Sequence, residues 1–237
     1  MVAANTFRNP GLTAKLATTL DHLSGGRAVL GIGGAWFERE HEAFGIDFGS
    51  GIGERLDRLD ESVMLLRRLL DGETVTHDGP VYPMKDALVQ PRPVQARMPI
   101  MIGGSGPKKT LRTLAKYGDQ WNAMGLPAKL AERDAILREH CAAVGRDQTE
   151  IERTTTVDIV IRKDHATGLA AYRSILAATD QEFDETWNQF TGSPAEIADG
   201  LQPLIELGFR HFLVDTPAPY DAETLDRIGE VLEHLNG

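Results

Sequence analysis

The sequence predicts an α/β fold built on a mainly parallel sheet, and two observations carry that expectation. Short apolar, β-branched runs recur near residues 2–7, 27–32, 99–103, 119–123, 154–162 and 210–215, and each is followed by a stretch with helical periodicity. Glycine-rich turns separate the two kinds of segment, as at Ser24-Gly25-Gly26 and Gly103-Gly104-Ser105-Gly106. Strand–helix alternation of this kind implies parallel pairing through right-handed crossovers. Six units are two short of the eight that close a (β/α)8 barrel of about 250 residues, so an open doubly wound sheet is the alternative on this ground. The 237 residues are enough for one large domain with a sizeable core.

Taken in order, residues 2–7 read as a strand ending in the turn Arg8-Asn9-Pro10, and Pro10 starts a helix. Leu12, Leu16, Leu20 and Leu23 fall on one face of that helix. Arg27 to Ile32 is the next buried strand, and Gly33-Gly34-Ala35-Trp36 leaves its carboxyl end as a glycine-rich loop. Trp36 there is as good a candidate for a hydrophobic plug as for a ligand contact. Residues 37–53 read as a long loop or broken helix. A strong amphipathic helix follows over 54–70, with Leu56, Leu59, Val63, Leu66 and Leu70 as its apolar stripe and Arg55, Asp57, Arg58, Glu61, Arg67 and Arg68 largely solvated. The Asp78-Gly79 turn predicts a hairpin, and Pro91, Pro93 and Pro99 keep 89–99 extended, so about 73–98 is an insertion. Later helices are expected from Lys108 to Tyr117, from Ala128 to Val144, over 166–208 with an interruption at Thr191-Gly192-Ser193-Pro194, and over 221–235. Ser193 is the expected cap and Pro194 the first-turn residue after that interruption.

Composition narrows the partners. A net charge of −10 without a long Lys/Arg cluster argues against nucleic acid or an anionic membrane and for a small-molecule ligand. The single cysteine, Cys141, cannot form an internal disulfide, and no run of 18 apolar residues is present, which together give a cytoplasmic profile. The seven histidines do not cluster at metal-ligand spacing; His41-Glu42 lacks the second histidine of a zinc-protease motif because Gly45 stands there.

Met98–Asn122 contains the clearest chemical unit, a buried strand, the turn Gly103 to Gly106, and a helix opened by Pro107. Glycines let a backbone approach a ligand closely, and the unpaired N–H groups of a first helical turn favour a phosphate dianion. Ser105 could add a hydroxyl donor, with Lys108 and Lys109 nearby. Two better-known phosphate motifs fail on spacing. Lys108 stands where a P-loop needs its second glycine, and Trp36 stands where the nearest dinucleotide fingerprint needs its third. A tight βα turn with no ligand is the competing reading.

Four segments in this order, TFRNPGLTAKLATTLDHLSGGRAVLGIGGAW, ERLDRLDESVMLLRRLL, QPRPVQARMPIMIGGSG and AKYGDQWN, resemble the luciferase-like monooxygenase superfamily, and more narrowly its bacterial branch that uses the deazaflavin coenzyme F420. The resemblance runs over roughly 2–125 and continues more weakly through GSPAEIADGL. It implies a (β/α)8 TIM barrel with an insertion before the fifth strand, homodimerisation, and hydride transfer between F420 and an organic substrate. FMN-dependent oxygenation and a non-catalytic cofactor-binding homologue are the alternatives.

By position, the resemblance implies that Gly103, Gly104, Ser105 and Gly106 hold the cofactor phosphate, and that Ala4 and Asn5 lie against the ring. Ala123 and Met124 line the cofactor, and Trp36 faces the substrate side. Sugar-phosphate dehydrogenases of the superfamily carry a carboxylate at the position of Trp36, so their acid chemistry is not expected here, and no general acid or base is assigned. The strand ending in TFRNP corresponds to the third of the family barrel. The expectation is therefore an incomplete, N-terminally shortened barrel of about six βα units, with weak or no cofactor binding unless dimerisation covers the gap.

Overall fold

The computed structural model describes residues 2–216 and 220–236. The chain divides into two compact units, Met1–Asn122 with Arg133–Glu152, and Ala123–Glu132 with Arg153–Gly237.

In the first unit a parallel sheet runs in the order β1 (Ala3–Ala4), β2 (Leu30–Gly33), β5 (Ile100–Gly103), β6 (Gln120–Ala123). The register pairs Ala4 with Gly33, Gly33 with Gly103 and Gly103 with Asn122, so the strands end level with one another. The first strand is shorter than expected because the chain coils into a 3-10 turn over Asn5–Phe7. Helix α1 (Pro10–Ser24) starts where Asn9 Oδ1 accepts from Gly11 N at 2.8 Å and stops at Gly25, which adopts φ 64°.

Two expectations about helix faces are corrected. The α1 leucines Leu12, Leu16, Leu20 and Leu23 are all exposed, while Pro10, Ala14, Ala17, Thr18 and Asp21 face inward. Periodicity identifies an apolar face, but the small residues of the opposite face allow closer packing. On α3 (Ile52–Leu70), Leu59, Val63, Leu66 and Leu70 are buried as expected, yet so are Arg55 and Arg67. Arg67 donates to the Met98 carbonyl at 3.0 Å and to Asp119 at 3.1 Å, and pairs with Asp71 at 2.7 Å. Asp119 also accepts from Ile100 N at 2.9 Å, so this cluster ties α3 to the beginnings of β5 and β6.

Between α1 and α3, the short helix α2 (Glu38–Phe44) interrupts the long loop. The hairpin exists as β3 (Val75–His77) and β4 (Met84–Ala87), antiparallel, but its connection extends well beyond Asp78-Gly79. Helix α4 (Thr110–Tyr117) begins later than expected, since Pro107 to Lys109 form a turn. Arg146 Nη1 donates to the Gly118 carbonyl at 2.6 Å and the Ala115 carbonyl at 3.2 Å, satisfying carbonyls that α4 leaves open. Helix α5 is Pro127–Ala143.

The second unit is built on β7 (Glu152–Ile161), which pairs in parallel with β8 (Gln189–Gly192) and with β9 (Phe209–Asp215). Strand β8 corrects the expectation of a largely helical stretch over 166–208, which is α6 (His165–Ala177), β8 and α7 (Pro194–Glu206). Ser193 and Glu196 cap α7 reciprocally, and Pro194 occupies its first turn. Helix α8 (Ala222–Asn236) follows Asp221, whose carboxylate takes Arg162 at 2.8 Å. Thr224 Oγ1 accepts from Ile161 N at 2.9 Å, fixing α8 to the end of β7.

Candidate functional site

The turn from Gly103 to Gly106 leaves the carboxyl end of β5 and leads into α4. Gly104 sits at φ 116°, a conformation that side chains rarely adopt. Its N–H donates to the Asn122 carbonyl at 3.0 Å and its carbonyl accepts from Trp121 Nε1 at 2.9 Å, so the buried indole fixes the turn. A Cβ at Gly106 would fall 2.7 Å from Thr110 Oγ1, and one at Gly103 2.9 Å from Val2 Cγ1. A side chain at either position would force the Thr110 or Val2 side chain to shift. Among the described residues, no hydrogen bond engages the N–H groups of Ser105, Gly106, Lys108 or Lys109, or the Ser105 hydroxyl. Successive unpaired N–H groups ahead of a helix attract an anion.

The two lysines behave differently. Lys109 Nζ lies 2.7 Å from Asp57 and 2.9 Å from the Gly53 carbonyl, which neutralises it. Lys108 is exposed and makes no ion pair among the described residues.

Ala4 ends β1 beside Gly33, and Asn5 opens the 3-10 turn that follows. The Asn5 side chain is buried and turned into the fold, its amide donating to the Gly33 carbonyl at 2.9 Å and accepting from Leu59 N at 3.2 Å. The Asn5 carbonyl accepts from the Tyr82 hydroxyl at 3.4 Å. Burial pushes that hydroxyl above the ordinary tyrosine value, and the Glu61 carboxylate acts in the same direction.

Trp36 is 85% exposed and stacks on Phe37 with ring centroids 5.3 Å apart. The residue before it, Ala35, is held at φ 63°. A non-glycine residue in this region costs energy that the surroundings must offset, and such positions cluster at functional sites. His41, by contrast, is a satisfied interior residue. Its Nε2 lies 2.7 Å from Thr6 Oγ1 and its Nδ1 2.8 Å from the Phe37 carbonyl, between the rings of Phe7 and Phe48. Among the described residues no three His, Cys, Asp or Glu side chains converge as metal ligands, and no helix is long and apolar enough to cross a membrane.

Ala123 and Met124 belong to the second unit, where Ala123 is buried, Met124 is exposed and Gly125 takes φ 131°. That unit also has a cavity of about 480 Å³ with Asp158, Tyr172, Trp187 and Asp215 in its wall, none of them distinguished by the sequence pattern. Burial pushes both the Asp158 carboxyl and the Tyr172 hydroxyl above their ordinary values.

A parallel α/β chain with its glycine turns level at the ends of β2 and β5 defines a class of small-molecule enzyme scaffold, with the ligand at the carboxyl ends of the strands. The Luciferase-like monooxygenase family matches residues 1–202, and the chain belongs to that family. It is 28% identical over 262 residues to the F420-dependent glucose-6-phosphate dehydrogenase of Microbacterium testaceum, covering 97% of this chain and 75% of that protein. A phthiodiolone/phenolphthiodiolone dimycocerosates ketoreductase of a Mycobacterium species is 36% identical over 150 residues, 61% of this chain and 38% of that one. Among solved structures, an F420-dependent secondary alcohol dehydrogenase in complex with an F420-acetone adduct superposes with a TM-score of 0.81 at 20% identity, covering 99% of this chain and 78% of that one. The α/β fold of the TIM-barrel type expected from the sequence is the fold of these relatives.

Proposed function

We propose that this protein is an oxidoreductase that moves a hydride between coenzyme F420 and a small organic substrate. The observation that carries the reading is the open backbone between Gly103 and Lys109, whose unpaired N–H groups suit the phosphate that ends the ribityl chain of a flavin-type cofactor. Ser105 adds its hydroxyl and Lys108 a free positive charge. Ala4 and Asn5 belong to the proposed cofactor set of this unit, Asn5 by its backbone, since its side chain is engaged with Gly33 and Leu59. When bound, F420 supplies a two-electron hydride centre; the protein binds and orients it and excludes water. The F420-dependent relatives support this choice.

FMN also ends in a phosphate, and a riboflavin lyase with modified FMN superposes with a TM-score of 0.80 at 19% identity, so FMN is the second reading. Titration with each cofactor followed by fluorescence separates them. Saturable F420 binding is expected; micromolar FMN binding without F420 binding overturns the choice. The same proposal includes a homodimer, for which the exposed leucines of α1 offer an apolar face. A monomer mass by light scattering at micromolar concentration overturns that part.

A further inference from the structure

The cavity of about 480 Å³ in the second unit is walled by side chains that the cofactor reading does not use. Asp158, Glu182, Asp184 and Asp215 supply four carboxyl groups, and Tyr172 and Trp187 supply aromatic surface. No lysine, arginine or histidine stands among the described residues of the wall. Asp158 is 7% exposed and accepts from the Tyr172 hydroxyl, whereas the other three carboxylates are open to solvent. Asp158 and Asp215 are also register partners in the parallel pairing of β7 with β9. Like charges set side by side on neighbouring strands destabilise a sheet unless something offsets them.

The protein's own cations do not offset them. Among the described residues none of the four carboxylates makes an ion pair. Arg162 binds Asp221 at 2.8 Å, Arg227 binds Glu230 at 3.0 Å and Glu223 at 3.1 Å, and Lys163 lies 3.8 Å from Asp164. The Arg173 guanidinium carbon sits 4.7 Å from the centre of the Phe183 ring. Arg153 and Arg210 stand five residues before Asp158 and Asp215, about 16 Å back along their strands. Residues 153–237 carry 15 carboxylates against six lysines and arginines, so −9 of the chain's −10 lies in this stretch. Burial pushes the Asp158 carboxyl above its ordinary value and Asp215 adds to the rise, while hydrogen bonds from Tyr172 and Trp187 oppose it.

A metal ion does not fit this wall, since no three His, Cys, Asp or Glu side chains converge among the described residues. An organic cation does fit. An ammonium group spreads charge-assisted hydrogen bonds over carboxylates that stand apart, and its charge is attracted to the faces of tryptophan and tyrosine. The volume is that of a small-molecule site. We infer that this cavity binds a protonated amine carried on an apolar body, with the ammonium taken by Asp158 and Asp215 and the body lying against Tyr172, Leu176 and Trp187. The inference stands apart from the reading of the Gly103–Gly106 turn, which belongs to the first unit.

The test is isothermal titration calorimetry near neutral pH with 4-phenylbutylamine, its neutral counterpart 4-phenylbutan-1-ol, the anion 4-phenylbutyrate, and spermidine, which has charge but no apolar body. Saturable binding of 4-phenylbutylamine is expected, with the alcohol at least about tenfold weaker and the butyrate silent. Asp158→Asn is expected to weaken the amine at least about tenfold, and Asp215→Asn, at an exposed position that spares the fold, about threefold. Glu206→Gln removes a carboxylate on α7 outside the wall and is expected to leave the affinity unchanged. No binding of the amine, equal binding of the alcohol, or equal amine affinity in Asp215→Asn overturns the inference. Equal weakening by Glu206→Gln, or tighter binding of spermidine than of 4-phenylbutylamine, overturns it as well, because attraction to net charge then accounts for the whole effect.

Discussion

Arg67→Met removes a buried cation while retaining an apolar stem, and the structure sets the scale of its effect. Arg67 is 7% exposed and serves three acceptors: the Met98 carbonyl at 3.0 Å, Asp119 at 3.1 Å and Asp71 at 2.7 Å. Breaking one side of a buried pair leaves an uncompensated charge and costs about 3–5 kcal/mol. Asp119 keeps Arg97 at 2.8 Å and the Ile100 N–H at 2.9 Å, and Asp71 is partly exposed, so the lower end, about 3 kcal/mol, is expected. For a chain of this size that corresponds to a fall in Tm of about 6–12 °C. The neighbouring Arg68→Met is the control, because Arg68 makes a more exposed pair with Glu73 at 2.8 Å, worth about 0–1 kcal/mol. Thermal unfolding followed by circular dichroism reads both variants. Equal shifts for the two, or a fall below about 2 °C for Arg67→Met, would refute the reasoning that burial rather than the ion pair itself sets the cost.

Gly104→Val places a branched side chain at φ 116°, so it is expected to weaken cofactor binding and to lower stability by about 1–3 kcal/mol; unchanged affinity in a folded variant counts against the turn as the site. Asn9→Ala removes the α1 cap and is expected to cost about 1 kcal/mol in chemical denaturation, an unchanged midpoint being the contrary result. The Asp221 carboxyl is held below its ordinary value first by the hydrogen bond from Arg162 and also by Thr224. Its folded value being depressed, it contributes stability that is present above the ordinary aspartate range and is lost as pH falls through the folded value. The Tm gap between wild type and Asp221→Asn is therefore expected to be widest near neutrality and to shrink below about pH 4. A gap that stays constant to pH 2 contradicts the assignment.

Much of the fold was legible because its strands announce themselves. Ile100 to Ile102 and the Thr- and Val-rich β7 can hardly be anything but buried strand. Strand β8 was not legible: Gln189–Gly192 holds one large apolar residue, Phe190, and its pairing to β7 is supplied by distant chain. The α1 leucine stripe shows the limit of periodicity, since it identifies a face without naming what covers it. The burial of Arg67 was equally hidden, as its partners Met98 and Asp119 lie far along the chain. At the site, glycine spacing exposed the turn between Gly103 and Gly106, while the neutralisation of Lys109 by Asp57 required the fold that brings α3 beside it.

Ser105→Glu tests the central claim most directly, because it sets a carboxylate at the proposed phosphate position while leaving the glycines intact. F420 fluorescence titration of wild type and variant at fixed ionic strength should show saturable binding to the wild type and a loss of at least about tenfold, roughly 1.4 kcal/mol, in the variant. Equal F420 affinity in the two proteins, with the fold of the variant unchanged by circular dichroism, would place the cofactor phosphate elsewhere and contradict the account.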